Sequence, residues 1–196
     1  MEVADTYHRV MIEAVWVKSG VGREVALILG GSLLIALSAQ LQFVLPFSPV
    51  PITGQTFAVL LLGALYGSKR GPATVVTYLA LGVMGLPVFA GGAFGLARLV
   101  GPTAGYLVGF LVAAFVVGLL SERGWDRNPW ATAVSMIIGN GILYVTGMLW
   151  LSRFVGWQAV LTTGFLPFLP GDALKIALAM ILLPAGWKLI GRSGQQ

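Results

Sequence analysis

Six apolar stretches follow one another between residues 25 and 190, and the basic residues gather on alternate connections between them. A helix that crosses the hydrocarbon of a bilayer needs about 20 consecutive apolar residues, and a water-soluble core has no use for a series of them. The pattern therefore specifies an all-α integral membrane bundle. Composition agrees where it bears on this choice: 57% of residues are hydrophobic and 10% charged, with a mean hydropathy of +0.89, against roughly 25% charge in soluble domains. The 27 glycines suit helices whose backbones approach closely in lipid.

The stretches run over about 25–45, 55–66, 72–86, 102–120, 130–151 and 171–190. The second is too short to cross unless the turns before it contribute. Two alternatives compete: the third stretch as a re-entrant segment, because Gly82, Gly85 and Pro87 interrupt its end, and a dip of 154–170 into the bilayer. Charge favours six transmembrane helices. With a cytoplasmic N-terminus, Arg9, Lys18, Arg23, Lys69, Arg70, Arg123, Arg127, Lys188 and Arg192 fall inside. Arg98 and Arg153 fall outside, and Lys175 lies within the last span. That is the asymmetry of a protein oriented by its positive loops. Removing any one span scatters these residues over both sides, so both termini are expected to be cytoplasmic.

Residues 1–22 form a separate arm ahead of a membrane domain at 23–196. Glu2, Asp5, Arg9, Glu13 and Lys18 alternate with Val10, Met11, Ile12, Val15 and Trp16. This reads as an amphipathic surface helix lying on the headgroups, without the layout of a signal peptide. The inner connections, 67–71 and 121–129, are short and charged. The outer ones, 46–54, 87–101 and 153–170, are nearly uncharged and rich in Pro, Gly and aromatic residues. A solvated linker has no use for Phe, Trp and Leu, so these segments are expected to fold back over an outward-facing cavity.

A few polar groups point towards that outer half. Asp172 and Lys175 are three residues apart at the start of the last span and share a helical face. Ionisable groups at membrane depth are costly enough to be read as functional, although Asp172 as a helix cap with Lys175 snorkelling outward is an equal reading. Thr53, Gln55 and Thr56 head the short second helix. Arg98 and Tyr106 follow in the outer half, and Asn140 and Tyr144 lie one turn apart in the fifth span. An amide in such a helix serves more often in a helix–helix hydrogen bond than in ligand contact. The convergence of these groups on one side favours a ligand.

Several chemistries are excluded. Without cysteine there is no thiolate metal site or thiol nucleophile. His8 stands alone in the arm, and beyond the first span Asp172 is the sole carboxylate of the apolar stretches. Paired carboxylates, a His-based triad and a zinc motif are all missing, and so is a phosphate-binding loop. The expectation is a protein with no catalytic residue, metal or cofactor. Its basic charge serves anionic lipid headgroups rather than nucleic acid. A pore is disfavoured because the inner half of every stretch is apolar.

Five segments carry a resemblance to a known family. They are Pro49-Val-Pro-Ile-Thr-Gly-Gln-Thr56, Gly85-Leu-Pro-Val-Phe-Ala-Gly-Gly92, Gly101-Pro-Thr-Ala-Gly-Tyr-Leu-Val-Gly-Phe110, Gly139-Asn140, and Pro167-Phe-Leu-Pro-Gly-Asp-Ala-Leu-Lys175. In order and spacing they resemble the BioY family, the biotin-binding S components of energy-coupling factor (ECF) transporters, over about 25–190. The resemblance implies the six-helix S-component fold in a bacterial plasma (inner) membrane, with biotin captured on the outer side. It also implies partners: a transmembrane T component and two ATPase subunits that drive delivery inward. The same fold serves S components for thiamine or riboflavin, and only the quoted motifs argue against those.

Site residues follow from the resemblance. Asp172 is expected to accept from the ureido N–H groups of biotin, with Lys175 or Arg98 meeting the ureido oxygen or the carboxylate. Thr53 and Gln55 match the loop after the first span. Phe89, Gly91, Gly92 and Tyr106 are expected to line the thiophane side, with Asn140 and Tyr144 nearby. S components commonly present small residues at i, i+4 spacing to the T component, and Ala26 with Gly30 and Ser32 with Ala36 both provide that spacing, with packing inside the bundle an equal reading for either pair.

Overall fold

The computed structural model describes residues 10–16 and 20–193, with the side chains of 192 and 193 left aside. His8, Arg9, Lys18 and the Arg192 side chain lie outside the described residues.

The long helices are α2 (Val21–Gln40), α3 (Gln55–Val83), α5 (Ala104–Glu122), α6 (Pro129–Val155) and α8 (Leu169–Ser193). Short helices α1 (Met11–Val15), α4 (Ala97–Val100) and α7 (Val160–Gly164) lie at the ends of the bundle. A two-residue antiparallel ladder joins β1 (Gln42–Phe43) to β2 (Ile52–Thr53), pairing Gln42 with Thr53 and Phe43 with Ile52. Because of this ladder the first apolar stretch leaves its helix at Gln40, five residues before its expected end.

The second and third stretches are the two arms of α3, folded back on each other at Gly67. That residue takes φ +82° and ψ −178°, a region essentially restricted to glycine. The arms are tightly apposed: a Cβ added to Gly71 would stand 3.1 Å from the Cα of Gly63, and one added to Gly63 would stand 2.8 Å from the Ala114 carbonyl oxygen on α5. Small residues are thus what lets three backbones meet at the centre of the bundle. Around them Val59, Ala64, Val75, Ala113, Ala114 and Val117 form a dry core.

Among the described residues, four segments are long and apolar enough to cross a membrane: Val21–Gln40, Ala104–Glu122, Pro129–Val155 and the run Val160–Gly191 that ends in α8. Their outward faces carry Leu33, Leu37, Ile137, Val145, Leu178 and Ile181, all exposed. In water such a surface would aggregate, whereas in lipid it is the correct exterior. The chain is a multi-pass membrane protein. The arms of α3 are each shorter than a full span and lie against this shell.

One end of the bundle gathers charge. Arg70, at the turn of α3, pairs with Glu13 of α1 at 2.8 Å and with Glu24 of α2 at 2.6 Å. Glu122 accepts from both the backbone N–H and the hydroxyl of Ser68, each at 2.8 Å. Asn128 caps α6 by accepting from the N–H groups of Trp130 and Ala131, and Pro129 follows it at the first helical position. The described part of the N-terminal arm is docked here: Val10 and Met11 are buried, and Met11 packs against α8 beside Gly186.

Candidate ligand-binding cavity

The opposite end of the bundle holds a cavity of about 750 Å³, counting its open mouth. Its floor and sides come from α3, α5, α6 and α8, and its rim from the three outer connections. Val50 and Pro51 belong to the first of these, Phe89, Ala90 and Arg98 to the second, and Phe168 to the third. The connections are braced together. Ser48 donates to the Thr163 carbonyl at 2.6 Å, Tyr106 donates to the Gly164 carbonyl at 2.7 Å, and the Tyr144 and Phe165 rings meet edge to face at 4.7 Å.

The polar centre is built where α8 faces α3 and α6. Pro170 and Gly171 open the helix, so Asp172 sits in its first turn, where the helix dipole favours an anion. Lys175, one turn on, donates to Asp172 Oδ1 at 3.1 Å and to Thr56 Oγ1 of α3 at 2.8 Å. Tyr144 of α6 donates to Asp172 Oδ2. A buried carboxylate held by an ammonium and a phenol is compensated but not saturated, because a carboxylate offers about four lone-pair positions and an ammonium three protons. Both groups keep hydrogen-bonding capacity for a ligand.

The opposing wall is amide and aromatic. Gln55 donates through Nε2 to the Tyr78 hydroxyl at 2.5 Å, and Tyr78 donates to the Val88 carbonyl at 3.3 Å. Thr53 donates to Gln55 Oε1 at 3.4 Å and accepts from the Gln55 N–H at 3.3 Å, which holds the head of α3 in place. Phe89 is buried, with its ring edge-on to Tyr78 at 5.5 Å. Asn140 lines the cavity, as do Tyr106 and Arg98. The guanidinium therefore stands on the rim loop and the ammonium on α8.

Gly91 and Gly92 are outside the lining. Both have positive φ, +73° and +69°, and they form the turn behind Phe89. Ser32 and Ala36 also depart from expectation: both are buried in the bundle, and Ser32 donates to the Ile28 and Thr74 carbonyls at 2.7 and 2.9 Å. They cannot reach a partner. Ala26 and Gly30 lie on the outward face of α2, and a Cβ at Gly30 would meet nothing within 4 Å.

Sequence reasoning missed Tyr78 and Phe168, and with them the apolar wall of Leu107, Phe110 and Leu143. Tyr78 carried a signal, since a hydroxyl in the middle of an apolar stretch needs a partner inside the protein. The apolar residues carried none, because in an all-apolar helix nothing separates a cavity-facing leucine from a core one.

Three comparisons bear on this geometry. The family model described as "BioY family" matches residues 11–192. A "Probable biotin transporter BioY" of Pyrococcus horikoshii is 38% identical over 161 residues, covering 82% of this chain and 93% of the relative. A "Biotin transporter BioY" of Thermotoga maritima is 42% identical over 150 residues, covering 76% and 86%. Among solved structures, the S-component for biotin from an ECF-type ABC transporter aligns with a TM-score of 0.75 at 26% identity, over 87% of this chain and 95% of that one. With the match spanning nearly its whole length, from the docked arm to the end of α8, this chain belongs to the BioY family.

Proposed function

We propose that this chain is the biotin-binding S component of an ECF-type vitamin transporter: a membrane subunit that captures biotin in the outer cavity and is not itself an enzyme. The observation that carries the reading is the pair of buried Asp172 and half-buried Lys175, held by Tyr144 and Thr56 beside aromatic walls. Biotin offers a fused apolar ring system, a ureido group with two N–H donors and one carbonyl, and a carboxylate on a flexible tail. Asp172 accepts from the ureido N–H groups, and the remaining ammonium proton of Lys175 meets the ureido oxygen. Arg98, on the rim, pairs with the tail carboxylate. Phe89, Tyr78 and Tyr106 flank the rings, and Gln55, Thr53 and Asn140 supply further polar contacts.

The chain carries no phosphate-binding loop, so uptake depends on a transmembrane T component and two ATPase subunits. Ala26 and Gly30 on the outward face of α2 are the proposed contact with the T component, where small side chains permit close backbone approach. In this reading α2, the two arms of α3, α5, α6 and α8 are the six helices of the plasma-membrane bundle. The charged end around Arg70 faces the cytoplasm, with both termini.

Thermal unfolding of the purified protein with biotin, thiamine, riboflavin or folate tests the substrate. A ligand at 100 times its dissociation constant stabilises by about 2.7 kcal/mol. Biotin is expected to raise Tm at micromolar concentration while the other vitamins leave it unchanged. Stabilisation by thiamine or riboflavin instead would reassign the cavity.

A further inference from the structure

Gln40, the last residue of α2, is exposed and absent from the cavity lining, yet both ends of its side-chain amide are bound. Nε2 donates to the Phe89 carbonyl at 3.2 Å and to the Ala36 carbonyl of its own helix at 3.1 Å. Oε1 accepts from the Gly92 N–H at 3.0 Å. One side chain thus spans the turn 89–92 from outside, donating to its first residue and accepting from its last. The turn needs both contacts more than most. Gly91 and Gly92 are both left-handed, and residues of this type lose the most conformational freedom when fixed. Its internal ties are Gly92 N–H to the Phe89 carbonyl and Phe89 N–H to the Ala93 carbonyl, each at 3.0 Å.

Phe89 projects from this turn to the other side. Its ring fills the space over Gly82 that any Cβ there would occupy, meets Tyr78 and forms part of the cavity wall. Tyr78 ties the neighbouring Val88 carbonyl from within. The segment is therefore held twice, by Tyr78 from the cavity and by Gln40 from the rim.

We propose that Gln40 is a positioning residue for the cavity: from outside the ligand space it clamps the 89–92 turn, so that the Phe89 wall stays shut and a bound ligand leaves slowly. This rests on the cavity being the biotin site. The clamp holds the wall closed in the ligand-free protein as well, so its loss speeds exit and entry through that wall together and moves the equilibrium affinity much less. Losing one or two net hydrogen bonds corresponds to roughly a 5- to 50-fold faster opening of the turn.

The experiment compares the purified wild type with Gln40→Leu and Gln40→Glu. Glu keeps an acceptor for the Gly92 N–H and loses the donor to Phe89. Three quantities are measured: the association rate of radiolabelled biotin, its release rate in a cold chase, and backbone hydrogen exchange of 88–95 without ligand, with α5 as internal reference. For Gln40→Leu, release, association and 88–95 exchange are all expected to accelerate roughly tenfold, and Gln40→Glu is expected to fall between. Unchanged exchange in both variants overturns the clamp. Faster exchange with unchanged release overturns its link to ligand retention. Absence of saturable biotin binding by the wild type overturns the biotin reading itself, and the ligand-free exchange data separate that failure from failure of the clamp.

Discussion

Tyr144 donates its hydroxyl proton to Asp172 Oδ2, so α6 meets α8 at the same buried carboxylate that Lys175 holds from below on Oδ1. Two helices and both donors therefore depend on a single negative charge. Asp172→Asn keeps the shape, removes the charge and leaves Lys175 with only neutral partners. Truncating one partner of a buried charge pair at a ligand contact costs about 2–5 kcal/mol. We expect biotin affinity to fall at least about 30-fold, measured by equilibrium binding of labelled biotin. Affinity equal to wild type would remove Asp172 from the site.

The two small-residue pairs of α2 separate cleanly by substitution. Ser32 is fully buried and bound to the Thr74 carbonyl, so Ser32→Leu is expected to destabilise the isolated protein by roughly 1–3 kcal/mol through overpacking. Gly30 has open space beside it, so Gly30→Leu should leave Tm and biotin binding unchanged while preventing co-purification with the T component. If Gly30→Leu assembles normally, the partner contact lies on another face.

Asp126 gives a pH dependence at the charged end. It lies in the connection between α5 and α6, 1% exposed, accepting from Trp187 Nε1 at 2.7 Å, while its Oδ1 has no hydrogen-bond partner among the described residues. Burial pushes the carboxyl up to about 6 from 3.8. The folded state therefore holds this proton more tightly than the unfolded chain does. Its contribution to stability is present below about pH 4 and lost as pH rises through 6, a difference of about 3 kcal/mol. Asp126→Asn keeps an acceptor for Trp187 and cannot ionise. Its Tm is expected to exceed that of wild type above pH 7 and to match it near pH 4, read by thermal unfolding in detergent across that range. A constant difference at every pH would rule out the ionisation as its cause.

These predictions also mark what the sequence could say. Charge spacing made the multi-pass bundle legible, and the isolation of Asp172 and Lys175 in apolar surroundings singled out the polar centre. The partner of Lys175 on α3 was within reach, since Thr56 stands beside Gln55. Burial was not legible: Ser32 and Gly30 are both small residues on one apolar helix, and only packing against Thr74 decides which one turns inward. Nor was the docking of Met11 on α8, because an amphipathic arm has the same pattern whether its apolar face meets lipid or protein. The turn at Gly91 and Gly92 was not legible for a related reason. A glycine pair beside an aromatic residue can signal close ligand approach or a left-handed turn, and φ distinguishes them only in three dimensions.

Gly67 couples the charged end to the cavity, since the two arms it joins carry Gln55 and Tyr78, whose 2.5 Å hydrogen bond closes the hairpin at its far end. Each arm rises about 1.5 Å per residue, so the turn lies roughly 18 Å from that bond. A Cβ at Gly67 would stand 2.8 Å from Glu122 Oε1 and 3.1 Å from Val10 Cγ1. Moving that oxygen disturbs both hydrogen bonds to Ser68, and the backbone conformation itself costs roughly 1–3 kcal/mol for a residue with a side chain. Gly67→Ala is therefore expected to lower Tm and, by loosening the arms against each other, to weaken biotin binding from a distance. Gly141→Ala is the control: it lies mid-helix in α6 with nothing within 4 Å of its added Cβ, and alanine there gains up to about 1 kcal/mol in helix propensity. Thermal unfolding and labelled-biotin binding of the two variants decide the matter, and a Gly67→Ala protein as stable as Gly141→Ala would mean that the hairpin does not depend on this turn.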